Sequence, residues 1–284
     1  MTRLAVLGPA GTFSDVAAQQ YQQTHSEIDQ LVYYDNIGKV GQSVDCKGQL
    51  AILPLENTLD GYVERTLTLL KAGQLHVVGT ATVPVHFALV ANCQRLDQVK
   101  RVYVQFKTKG QCLNILHQMP QAELSITESN MLSFNKLKTA EFGDAAIIPQ
   151  FHLSDLPQTA DFLIREQVAD SLENETRFIV VQAVAARVPI VKFDATETFR
   201  FLCYITPNTD RSGLLYDILG YFARANLNLI ALMSGPTKRK MGTYSFYIEV
   251  GGLGQHIPEL QKTLDTLRKN NYQVLDLGLF AAKF

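Results

Sequence analysis

Through residues 1–190, short β-branched runs alternate with longer helical patterns, and this alternation restricts that part of the chain to an α/β fold. Leu4 to Leu7 reads as a strand and Gly8-Pro9-Ala10-Gly11 as the turn after it. Thr12 and Asp15 stand at capping-box spacing, so a helix is expected from there to Tyr21. Gln49 to Pro54 is a second buried strand, and Val63, Thr66, Leu67 and Leu70 recur at helical spacing before Lys71 and Gly73. His76 to Val90 reads as extended, Arg101 to Val104 as a strand and Gln111 to Met119 as a helix, with further strands at Ala145 to Pro149 and Phe178 to Val184.

A border is expected at about residues 185–195, because the pattern changes there. Strand (Phe199 to Thr206), helix (Gly213 to Ala225), strand (Asn228 to Ser234), strand (Thr243 to Val250), helix (Ile257 to Asn270) and strand (Tyr272 to Phe280) follow. That is the βαββαβ order of a ferredoxin-like α+β domain.

The 284 residues carry 26 Lys and Arg against 27 Asp and Glu, a net charge of −1 that argues against a nucleic-acid partner. Apolar residues at 46% suffice for a sizeable core. The start, Met1 to Gly8, lacks the apolar stretch of a signal peptide, and no run is long enough to span a bilayer. Cys46, Cys93, Cys112 and Cys203 are too scattered for a zinc ribbon or redox pair, so reduced thiols in the cytoplasm are expected. The six histidines fall at no metal-ligand spacing, so neither metal nor cofactor is expected.

Three polar stretches sit at strand ends. Gly8 to Ser14 lies between a strand and a helix start, where backbone N–H groups can face an anion and Thr12 and Ser14 can add hydroxyls. A βα turn that simply needs glycine accounts for it equally well. Pro54 to Gly61 places Glu56 and Asn57 where α/β folds put ligand chemistry, although a turn capped by Asp60 would look the same. In Asn174 to Phe178, Arg177 could clamp a carboxylate or make a structural ion pair. His86, among apolar neighbours, reads as a hydrogen-bonded core histidine.

Taken in order, GPAGTFS (Gly8 to Ser14), PLENTLDGYVERTL (Pro54 to Leu67) and NETRF (Asn174 to Phe178) resemble the prephenate dehydratase family, and the tail resembles its ACT regulatory domain. The resemblance implies a two-lobed catalytic domain like periplasmic solute-binding proteins at residues 1–190. Lobe 1 would hold about residues 1–78 and 158–185, lobe 2 about 79–157, and the ACT domain 195–284. It implies conversion of the dianion prephenate to phenylpyruvate, carbon dioxide and water without a cofactor, in the route to phenylalanine. Homodimers or homotetramers would form through the ACT domains.

Carried over by position, catalytic roles fall on Thr176, Glu56, Asn57 and Gln111. Thr176 would hydrogen-bond the departing hydroxyl, and Glu56 would be the proton source. Substrate contacts fall on Thr12, Ser14, Thr58 and Arg177, and effector contacts on Gly213, Leu214, Leu215, Asn228 and Ser234.

The sequence departs from the family in two places. Val104-Gln105-Phe106-Lys107 stands where the family shows Ser-His-Pro-Gln, so Lys107 or Lys109 would have to restore a positive charge, if they are not merely solvated. Met233-Ser234-Gly235-Pro236 stands for Glu-Ser-Arg-Pro, and Leu214 adds bulk, which argues against ordinary phenylalanine inhibition. Arogenate dehydratase, a ligand-sensing cleft without chemistry and a partner-binding protein with a vestigial cleft are the competing readings.

Overall fold

The computed structural model describes residues 2–45, 48–157, 162–185, 192–209, 211–237 and 243–282. The first lobe opens with β1 (Thr2–Leu7), α1 (Phe13–Thr24), β2 (Ile28–Tyr34), α2 (Ile37–Gln42), β3 (Leu50–Asn57), β4 (Gly61–Tyr62), α3 (Glu64–Lys71) and β5 (Leu75–Pro84). The second lobe contains β6 (Phe87–Ala91), β7 (Arg101–Gln105), α4 (Phe106–Gln111), α5 (Leu113–His117), β8 (Glu123–Thr127), α6 (Asn130–Leu137), β9 (Asp144–Pro149) and β10 (Leu163–Arg165). Strand β11 (Glu175–Ala183) then returns to the first lobe and inserts antiparallel between β3 and β5, giving the order β2-β1-β3-β11-β5 with β4 against β3. The second sheet runs β10-β6-β9-β7-β8. Leu4, Ala5 and Val6 of β1 and Ala51, Ile52 and Leu53 of β3 have no exposed surface. Burial on both faces explains why these strands read as unbroken apolar runs.

The last part comprises β12 (Thr198–Pro207), α7 (Leu214–Arg224), β13 (Asn228–Pro236), β14 (Tyr244–Leu253), α8 (Ile257–Lys269) and β15 (Tyr272–Ala281), with all strands antiparallel in the order β13-β14-β12-β15. Both the two-lobed α/β part and the ferredoxin-like βαββαβ domain are therefore present. Strand alternation gives the last sheet two apolar faces. Phe199, Phe201, Cys203 and Ile248 pack under α7 and α8, while Leu202, Tyr204, Tyr247, Leu277 and Phe280 pack on Leu53, Leu55, Leu70 and Val77 of the first lobe. The approach is closest at Gly278, whose φ is +142° and where a Cβ would stand 2.1 Å from the Val77 carbonyl oxygen, so only glycine fits.

The structure moves several expected borders. The chain leaves the first sheet after Pro84 rather than near 78, because β11 keeps pairing with β5 from Leu75 to Pro84. It leaves the second sheet after Arg165, which pairs with Leu89 of β6, rather than near 158. Residue 158 and most of the 185–195 border lie outside the described residues, as does Cys46. The helix expected over Gln111 to Met119 is two short helices, with Gln111 ending the first. The buried Nδ1 of His86 has no hydrogen-bond partner among the described residues, so that ring is not fully satisfied.

His76 of β5 and Asp276 of β15 face each other electrostatically across the interface between the first lobe and the C-terminal sheet. Burial lowers the His76 pKa, and Asp276 offsets this in part. A histidine whose folded pKa is depressed adds stability that is complete above its ordinary value of about 6.5 and is lost as pH falls. Thermal unfolding should therefore show Tm dropping more between pH 7 and pH 5 for the unsubstituted protein than for His76→Gln. Equal drops would remove His76 as the source.

Candidate active site

The two lobes enclose a cleft of about 570 Å³. Its apolar wall includes Phe13, Val85 and Phe87, with the Phe13 and Phe87 rings edge to face at 5.8 Å. Its polar groups come from both lobes: Asn57, Asp60 and Thr176 on one side, and Gln105, Lys107, Thr108, Gln111 and Asn130 on the other. The Gly11 turn and His152 join the lobes at one end, with His152 Nε2 2.7 Å from the Gly11 carbonyl oxygen and Nδ1 2.8 Å from Asp155 Oδ2. Gly11 has φ +81°, and a Cβ there would meet His152 and Met131 at 3.0 Å.

Asn57 and Thr176 are cross-strand partners on β3 and β11. Asn57 Oδ1 accepts from the backbone N–H groups of Leu59 and Asp60, both at 3.0 Å, which fixes which way the amide faces. Its Nδ2 therefore points at Asn174 Oδ1 (2.8 Å) and Thr176 Oγ1 (3.0 Å). Because Thr176 Oγ1 accepts that bond, its own hydrogen remains available to a group in the cleft. Asn174, 1% exposed, donates onward to Gln111 Oε1 at 3.1 Å, so the chain of bonds crosses from one lobe to the other. Gln111 Nε2 is then the end of the amide that can donate to a ligand. The adjacent Cys112 thiol is pushed up to about 12 by burial and Asp170, so it remains a protonated core thiol.

Glu56 and Arg177 do not line the cleft. Successive side chains of a strand point to opposite faces, so the partners next to Asn57 and Thr176 in β3 and β11 turn toward the C-terminal domain. Arg177 Nη2 donates to Glu56 Oε2 at 2.8 Å, and both guanidinium arms grip the buried Glu249 of β14 at 2.5 and 2.8 Å. Arg200 Nη1 reaches Glu249 at 3.4 Å. Burial works against the charge on Arg177, and the Glu249 and Glu56 carboxylates overcome it, raising its pKa. Burial and the same carboxylates hold the Tyr62 hydroxyl well above the usual phenol range. The structure thus places Glu56 and Arg177 away from the cleft where a proton donor and a clamp were expected: the Arg177 charge is shared between the Glu56 and Glu249 carboxylates.

The other expected contacts divide. Thr12 lines the cleft, but as N-cap of α1 its hydroxyl accepts from Asp15 N at 3.3 Å and donates to the Pro9 carbonyl at 3.1 Å. Ser14 is 7% exposed and Thr58 exchanges hydrogen bonds with the Glu175 backbone, and neither lines the cleft. Asp60 is not a helix cap, since Val63 takes that position before α3. Instead Asp60 Oδ2 meets Lys107 Nζ at 3.1 Å across the cleft, so Lys107 is not merely solvated. Lys109 does not line the cleft.

Nothing in the sequence marks Asn130, Asn174 or Asp60 as a ligand group. The starts of α1 and α6 both face the cleft through Gly11 to Phe13 and Ser129 to Met131, and α4 begins there at Gln105 to Lys107. Side chains cap part of each start, Thr12 on the Asp15 N–H, Gln105 on those of Lys107 and Thr108, and Ser129 on that of Leu132, and the positive dipole end that remains suits an anionic ligand. Among the described residues, no group of three or more His, Cys, Asp or Glu could hold a metal ion. No helix among them is long and apolar enough to cross a membrane.

The expected effector residues do not converge within one chain. Leu214 is 8% exposed in the core under α7, and Leu215 packs beside it, next to Gly213 at φ +79°. Asn228 pairs with Gly251 at one end of the sheet, whereas Ser234 pairs with Phe246 toward the other. Ser234 lines a second cavity of about 790 Å³ between α3 and the C-terminal sheet, together with Met233, Lys71, Tyr62 and Tyr204.

The family model described as prephenate dehydratase matches residues 4–186, and the ACT domain model matches residues 208–268. The prephenate dehydratase of Amycolatopsis methanolica is 28% identical over 286 residues, covering 99% of this chain and 89% of that protein. The crystal structure of the enzyme from Staphylococcus aureus superposes with a TM-score of 0.79 at 26% identity, covering 99% of this chain and all of the other. That of Arthrobacter aurescens prephenate dehydratase in complex with L-Phe gives 0.78 at 25%, covering 99% and 90%.

Proposed function

The chain belongs to the prephenate dehydratase family, and from that premise we propose that its cleft converts prephenate to phenylpyruvate, carbon dioxide and water, a hydro-lyase step toward L-phenylalanine. The Asn57–Thr176 pair, facing a cleft rimmed by helix starts, carries this reading. Prephenate brings two carboxylates, and the starts of α1 and α6 supply positive dipole ends to meet them, joined by the exposed Lys107 ammonium once it turns from Asp60. The ring carboxylate leaves as carbon dioxide, its bonding pair completes the aromatic ring, and hydroxide departs with the carbon–oxygen pair. Hydroxide is a poor leaving group, so a donor to it lowers the barrier. Thr176 is that donor, oriented by Asn57; the departing oxygen takes up one proton from the bulk solvent as it leaves, so that the dianion yields phenylpyruvate monoanion, carbon dioxide and water. Gln111 and Asn174 hold the second lobe against this pair.

The test is to incubate the purified protein with prephenate and follow phenylpyruvate. Turnover is expected. Saturable binding without turnover would favour a sensing cleft, and neither would favour a partner-binding role. A cytoplasmic setting fits the free, buried Cys93, Cys112 and Cys203. Pairing of the ACT domains as dimers or tetramers fits the edge strand β13, where Ile230 and Leu232 are exposed. L-Phenylalanine is the effector this reading assigns to that domain. Met233 and Gly235 deprive it of a carboxylate and a guanidinium, so weakened regulation is part of the same reading.

A further inference from the structure

We propose that Glu249, in the ACT domain, is a positioning residue for the dehydration: by gripping Arg177 it fixes the register of β3 and β11 that presents Asn57 and Thr176 to the cleft. This role rests on the dehydratase reading of the cleft and extends it to a residue outside the catalytic lobes.

The pair Glu56–Arg177 lies one step along the ladder from the pair Asn57–Thr176, and the ladder shifts register immediately beyond, between Arg177 and Phe178. The buried cores fix the register of both strands beyond this point, but at the irregularity itself the ladder is locally disrupted, so side-chain contacts there carry more of the alignment of the strand ends. The contact present is a two-armed guanidinium–carboxylate pair, which fixes orientation as well as distance. Glu249 has no exposed surface, and its two oxygens are shared between Arg177 and Arg200, so its carboxylate cannot turn to water when the pair is disturbed.

Glu249 is itself held by a ladder, through Leu202 of β12 on one side and Ala231 of β13 on the other. A displacement of the ACT sheet is therefore transmitted to Arg177, and from there to Glu56 beside Asn57. The coupling is direct, with one guanidinium between the regulatory sheet and the strand pair that carries the reacting hydroxyl.

The test compares prephenate turnover by the full-length unsubstituted protein, Glu249→Gln, Glu249→Asp and Ile248→Ala, each shown folded by circular dichroism. Ile248 is next to Glu249 in β14 but faces the helices, so its truncation loosens the domain without touching Arg177. A misplacement of reacting groups lowers kcat steeply, so Glu249→Gln is expected to lose about 10- to 100-fold in kcat with KM nearly unchanged. Glu249→Asp should recover part of the loss, and Ile248→Ala should lower Tm yet keep its kcat. Full kcat in a folded Glu249→Gln protein overturns the proposal, as does an equal loss in Ile248→Ala. If Glu249→Gln does not fold, Glu249→Asp decides by the same measure: reduced kcat supports the role and an unchanged value overturns it. Inactivity of the unsubstituted protein would instead overturn the dehydratase reading.

Discussion

Thr176→Ala is expected to lower kcat by about 100-fold or more, the range for loss of a donor that acts on a leaving group. The variant should fold normally, because Asn57 Nδ2 keeps its bonds to Asn174 Oδ1 and the Glu175 carbonyl when the threonine hydroxyl is gone. Prephenate binding should change little, since the helix starts and Lys107, proposed above to meet its carboxylates, are untouched. Thr176→Ser keeps an oxygen at the same position and should retain most of the rate. Steady-state kinetics on the three proteins checks this, and a near-normal kcat for the alanine variant would remove Thr176 from the reaction.

Arg177→Met should be strongly destabilising. Among the described residues, it leaves the buried Glu249 with the longer 3.4 Å ion pair to Arg200. Stranding one partner of a buried ion pair costs about 3–5 kcal/mol. For a chain of this size that corresponds to a fall in Tm of about 10 °C. The double variant Arg177→Met with Glu249→Leu should regain most of this, because replacing both partners of a buried pair with apolar groups is often neutral. Glu56 is half-exposed and can be hydrated once its partner is lost. Differential scanning calorimetry on the single and double variants makes the comparison. If the double variant is stable yet slow with prephenate, stability and positioning have been separated. Equal Tm values for the single variant and the unsubstituted protein would mean that water reaches Glu249.

Much of the framework was legible in the amino-acid order. The apolar runs of β1 and β3, the capped start of α1 and the βαββαβ order of the tail follow from local spacing, and the structure contains all of them. Asn57, Thr176, Gln111 and Thr12 do meet at one cleft. Glu56, Arg177, Ser14 and Thr58 do not, and one signal was available for the first two. If the strand at residues 49–54 is continued through Asn57, alternation forbids Glu56 and Asn57 from sharing a face. Reading that stretch as a turn hides the conflict. Lys107 was marked by its place in the departing Val104 to Lys107 stretch, but for Asp60, Asn130 and Asn174 there was no comparable signal, since each contributes through a partner far away in the chain.

The sequence by itself determined which segments become strands and helices, and it carried the ordered motifs that mark the family. Those are properties of short stretches, set by spacing, caps and apolar periodicity. Only the tertiary structure decided which motif residues touch the cleft and which are turned to the ACT domain. That choice depends on how β11 inserts between β3 and β5 and on the sheet that packs behind them. The ion pair from Arg177 to Glu249 shows why: its partners are 72 residues apart, and only the packing of two separately formed sheets brings a buried charge against its counterion.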